Sequence, residues 1–90
     1  MSNMTNMDLQ ALNNFANALE NFKQNVTVHC NNMESGIAGC QQFMKDANSQ
    51  KALRDGQQIC TDIKASLNPA EMLLEKVRRM IQMLNNAPEM

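Results

Sequence analysis

The chain has 90 residues, enough for one small domain, and a net charge of -1 from eight basic and nine acidic side chains spread along its length. That balance excludes the electrostatic footprint of a nucleic-acid binder or of a protein held on an anionic membrane surface. No apolar run approaches the ~20 residues needed to span a bilayer, and three cysteines without a C-x-x-C pair argue against a disulfide scaffold or a zinc site and for a reducing cytoplasm.

Residues 1–7 are polar, with neither the positive charge nor the apolar core of a cleavable signal peptide, and read as a disordered leader. Thr5 or Asn6 is placed to cap a helix that follows, with Asp8 in its first turn. A first helix is predicted over about 8–44, because Leu9, Leu12, Ala16, Leu19, Val26, Cys30, Met33, Ile37, Cys40 and Met44 recur at alternating steps of three and four. Lys23 alone is out of character in this seam. Gly36 and Gly39 each cost ~1 kcal/mol inside a helix, so they mark a kink, a break or a close approach of two backbones, and a shorter helix ending near Ser35-Gly36 stays open.

Lys45-Asp46-Ala47-Asn48-Ser49 is rich in turn and cap residues and predicts a hairpin turn at about 45–49. The seam resumes over about 50–86 with Leu53, Gly56, Cys60, Ile63, Leu67, Ala70, Leu74, Val77, Ile81 and Leu84. Asn68-Pro69 interrupts it, and the second helix is expected to kink or break near Pro69 while keeping nearly the same axis. Residues 87–90 read as a flexible tail. Pairing about a turn near residue 48 sets Ile37 near Cys60, Met33 near Ile63, Cys30 near Leu67, Leu19 near Val77 and Leu12 near Leu84. The three glycines, Gly36, Gly39 and Gly56, then gather toward one end.

The fold class is therefore all-α, a long antiparallel helical hairpin. A hairpin of this size cannot bury a full core alone. A second apolar stripe beside the seam, Phe15 and Phe22 on the first helix with Ile59, Leu73 and Met80 on the second, widens the buried face. Those five residues are the expected dimer or partner interface, and dimerisation into a four-helix bundle is the expected assembly, with a compact three-helix monomer as the alternative.

Chemistry is less evident than shape. Cys30, Cys40 and Cys60 occupy seam positions as small apolar groups, and Cys40 and Cys60 come within about one helical turn of each other, where a bridge is conceivable. His29 beside Cys30 cannot chelate a metal with it, because adjacent helical residues point ~100° apart. Glu71, Glu75, Lys76, Arg78 and Arg79 form a solvated charged face, with Glu75 and Arg79 in the favourable i,i+4 order. Ser35, Ser49, Ser66 and Asp62 lie in no nucleophile context. No catalytic, cofactor or metal-binding set is expected, and the protein reads as non-enzymatic.

Two long helices and one central turn, in a chain of about this length, resemble the bacterial WXG-type family associated with type VII secretion. The resemblance covers roughly residues 8–86. Phe43-Met44-Lys45-Asp46 stands where that family carries Trp-x-Gly, and Met44-Lys45-Asp46 is similar in charge pattern to the Trp-Arg-Asp of divergent members. The family's C-terminal Tyr-x-x-x-Asp/Glu has no counterpart, the chain having no tyrosine. The resemblance implies a helical-hairpin dimer that acts by binding itself, a related helical protein or a larger effector, in the cytoplasm or exported without a cleavable signal. The alternative expectation is a cytoplasmic chaperone or small subunit of a secretion or other multiprotein assembly, which masks a partner's amphipathic helix.

Overall fold

The computed structural model describes residues 6–86, the Asn6 side chain excepted. Every regular element among them is an α-helix: α1 (Asn6–Gln41), α2 (Ala47–Ala65) and α3 (Leu67–Asn86). Residues 6 and 7 of the expected leader already belong to α1, whereas residues 1–5, Thr5 as a cap, and the tail at 87–90 lie outside the described residues. Helix α1 passes through Gly36 and Gly39 without interruption, and no described residue has a positive φ.

The turn sits about four residues earlier than the sequence suggests, because two neighbouring residues of opposite charge close the helix ends. Lys45 Nζ donates to the Gln41 carbonyl at 2.5 Å, placing a cation on the negative end of α1. Asp46, extended at φ -72 and ψ 158, is the N-cap of α2. Its carboxylate accepts from the Ser49 backbone N–H at 3.0 Å and from the Ser49 hydroxyl at 2.7 Å. Those two bonds, the hydroxyl's first, hold the Asp46 carboxyl below its ordinary pKa. Phe43 and Met44 donate to the Cys40 carbonyl, and Gln50 Nε2 donates to the Met44 carbonyl at 2.6 Å. The turn is thus centred on Met44.

The second helical stretch is bent at Ser66, three residues before Pro69. Proline in a helix clashes with the carbonyl four residues earlier and cannot donate to it. That residue is Ala65, where α2 ends. Ser66 closes the end, its N–H donating to the Ile63 carbonyl at 3.0 Å and its hydroxyl to the same oxygen at 2.5 Å. Pro69 then falls in the first turn of α3, where a missing N–H leaves no bond unmade.

The chain divides into two compact units, one built on 1–23 and 69–90, the other on 24–68. In the first, the terminal unit, α1 and α3 run antiparallel and Ala16, Leu74 and Val77 form the buried core, with Leu12, Leu19 and Ile81 packed against it. Lys23 keeps its place in the seam because it is paired with Glu71, and with Glu20 at 3.9 Å.

The second unit, the turn unit, is a helical hairpin of α1 and α2. Val26, Cys30 and Cys60 are buried there. Cys30 faces Cys60 rather than Leu67, and Ile37 faces Gly56 rather than Cys60, an offset of one to two turns that follows from the earlier turn. A Cβ on Gly56 would lie 3.3 Å from Ile37 Cδ1, so this glycine does mark a close approach. Gly36 and Gly39 meet nothing within 4 Å, and the expected gathering of three glycines is not formed.

Candidate interaction surface

The seam runs between two edges of the terminal unit, and their chemistry differs. In an antiparallel helix pair, the residues just after seam positions on one helix face their counterparts on the other, and the residues just before seam positions meet along the opposite edge. Glu20 follows Leu19, Arg78 follows Val77 and Glu71 follows Ala70. Arg78 Nη2 reaches Glu20 Oε2 at 2.9 Å, and Glu71 holds Lys23, so this edge is ionic. Phe15, Phe22, Leu73 and Met80 precede Ala16, Lys23, Leu74 and Ile81. They line the other edge and are 45%, 43%, 40% and 41% exposed. Each is half covered by its own helix pair and presents the rest of its apolar surface to solvent.

Ile59, the fifth expected interface residue, belongs to the turn unit and is also exposed. In this unit the seam rotates. Met33 and Ile63, expected to pair in the core, are both exposed, and Glu34 and Lys64, one position later on each helix, fill the layer instead. A straight helix drifts ~20° per heptad from a strict seven-residue repeat, which moves the inward face to the later residue. Lys64 Nζ lies 2.6 Å from Glu34 Oε1, and Gln57 Nε2 donates to Glu34 Oε2 at 3.0 Å. The Lys64 and Gln57 bonds hold the Glu34 carboxyl below its ordinary pKa, and the bond that Lys64 donates to Glu34 raises that of Lys64.

The turn residues proposed as equivalents of a family motif have separate local roles. Lys45 and Asp46 are spent on the helix ends, Phe43 is exposed, and Met44 is half-exposed. His29 is exposed. Glu75 and Arg79 form the expected i,i+4 pair at 3.7 Å, with both side chains mostly in solvent. The Cys30 thiol donates to the Cys60 carbonyl, S to O 3.9 Å, while Cys40, for which a bridge to Cys60 was conceivable, is an exposed free thiol. Burial first, and the neighbouring Cys30 second, raise the Cys60 thiol pKa and keep it protonated.

The described residues hold no group of three or more His, Cys, Asp or Glu side chains arranged to bind a metal ion, and none of their helices is long and apolar enough to cross a membrane. The apolar edge was legible in the sequence as a stripe beside the seam. The outward turn of Met33 and Ile63 was not, although Glu34 and Lys64 one position on, of opposite charge, were its available signal. No protein-family model matches the chain, and neither a curated protein nor a solved structure matches it significantly, so this surface is read from its own residues.

Proposed function

We propose that this is a non-enzymatic helical interaction protein, similar to WXG-type secretion substrates or adaptors, that acts by packing the apolar edge of its terminal unit against a second copy or a related helical protein. The supporting observation is the division of that unit into an ionic edge closed by its own pairs and an apolar edge of Phe15, Phe22, Leu73 and Met80 left half-exposed. The core beneath is thin: among the described residues of this unit only Ala16, Leu74 and Val77 are buried. A unit so lightly packed gains most by covering the edge on which its large apolar side chains stay half-exposed.

Replacing Phe15 and Phe22 together by Asp tests this reading. The expected result is loss of the dimer in sedimentation or light scattering, with helical circular dichroism retained; an unchanged dimer, or a wild-type chain that is monomeric at high micromolar concentration, overturns self-association.

Exposed methionines favour a second reading. Met33, Met44, Met72 and Met83 present flexible apolar side chains outside the core, a surface suited to masking helices of differing shape, as a chaperone or small subunit does. Capture of a tagged copy from host lysate and culture medium separately distinguishes the two. A secreted chain with a small helical partner supports the first reading, and a chain retained in the cell with one stoichiometric large protein supports the second.

A further inference from the structure

Independently of the apolar edge, the turn unit carries a pair of thiols whose surroundings are unlike those of an ordinary core layer. Cys30 on α1 and Cys60 on α2 are 1% and 0% exposed, and the Cys30 sulfur approaches the Cys60 backbone to 3.9 Å. Contacts on two neighbouring turns hold the helices together beside this layer. The Glu34–Lys64 ion pair reaches diagonally across it, from Glu34 one turn nearer the hairpin turn on α1 to Lys64 one turn farther from it on α2. Nearer the turn, Ile37 packs onto Gly56, where the absence of a side chain lets the backbones draw near. A disulfide needs Cα atoms of ~4.4–6.8 Å separation, and because Cα atoms stand ~2.3 Å off each axis, residues that face each other across closely packed helices meet that need.

We propose that Cys30 and Cys60 form a reversible interhelix disulfide when the protein meets a two-electron oxidant such as hydrogen peroxide, a covalent modification that fastens α1 to α2 within the turn unit. One thiolate attacks a peroxide oxygen, giving a sulfenic acid and hydroxide. The second sulfur displaces the sulfenic oxygen, the sulfur–sulfur bond forms, and both peroxide oxygens leave as water carrying the two thiol protons. Two thiols are oxidised and one peroxide is reduced. Because neither sulfur is exposed, reaction requires a transient opening of the unit, and its rate follows that opening. Exposed Cys40 reacts faster with any oxidant and takes no part in the bridge.

The test uses the full chain with Cys40→Ser, treated with dilute hydrogen peroxide under conditions that keep its helical circular dichroism unchanged. The expected product has a mass lower by two hydrogens, a peptide map joining the Cys30 peptide to the Cys60 peptide of the same chain, and an unfolding midpoint raised by roughly 10 °C that returns on reduction. Two free thiols on denaturing titration after prolonged treatment overturn the proposal. So do sulfinic acids in place of a bridge, or bridges only between chains.

Discussion

The two units are built from the same helix α1 but hold together differently. The terminal unit packs Leu74 and Val77, with Ala16 on the opposite helix, against Leu12, Leu19 and Ile81, and pairs its charges along one edge. The turn unit packs smaller groups, Cys30, Cys60 and Gly56 beside Val26, and admits the partly buried Glu34–Lys64 pair next to them. Large side chains fill a wide gap between helices and leave flanking residues half-covered, whereas small ones draw helices close and need polar pairs at the margin. Half-exposed Phe15, Phe22, Leu73 and Met80 gather on the terminal unit, whereas Ile59 is the one residue of that stripe on the turn unit.

The comparison predicts opposite sensitivities to volume. Leu74→Ala, at a fully buried position, is expected to destabilise by about 3 kcal/mol through lost burial and the cavity left behind, read as a lower urea midpoint. Cys30→Leu, adding volume where the helices are close, is expected to cost about 1–3 kcal/mol by overpacking. If Cys30→Leu proves neutral, the turn unit is as roomy as the terminal one and the contrast fails.

Glycine substitutions sharpen the contrast further. Gly36→Ala and Gly39→Ala meet open space in a continuous helix and should each stabilise by about 0.5–1 kcal/mol. Gly56→Ala should gain less, because the new Cβ meets Ile37 Cδ1 at 3.3 Å and the isoleucine must yield. Thermal melts of the three variants rank them, and an equal gain at Gly56 removes the close approach.

The smallest effect is with pH. Glu34 and Asp46 both have depressed carboxyl pKa values in the folded state, so their contribution is present above their unfolded pKa values and is lost as pH falls through the folded ones, below about pH 4. The raised pKa of Lys64 contributes below its unfolded value, and that contribution is lost as pH rises through the folded one, above about pH 10. Lys64 and Glu34 keep 40% and 30% of their side-chain surface in solvent, which screens the pair, so the change is modest and should appear as faster amide exchange in α2. Equal acid sensitivity after Glu34→Gln and Asp46→Asn substitution refutes the assignment.

The heptad spacing made the all-helical fold and the flanking stripe readable, because burial of one face is written directly into residue identity at each turn. It also located Lys23 as an exception without showing its solution, since Glu71 is a partner only once α3 is folded back. The position of the turn escaped. The seam residue Met44 continues the pattern past the end of α1 at Gln41, yet Lys45 and Asp46 cap the two helices and overrule it. The kink expected near Pro69 is present and falls three residues earlier, at Ser66, because the proline's steric demand is on the carbonyl of Ala65.

The adjacent caps at Lys45 and Asp46 bear on the order in which the protein folds. Each side-chain hydrogen bond that shapes the turn spans six residues or fewer, so the turn closes before any interhelix contact is made. Folding of the turn unit then resembles a zipper, each pair of helical turns bringing the next within reach at little extra loop entropy. A low contact order of this kind favours rapid folding. It puts Asp46 and Ser49 among the residues whose substitution slows folding more than it speeds unfolding, with φ-values approaching one.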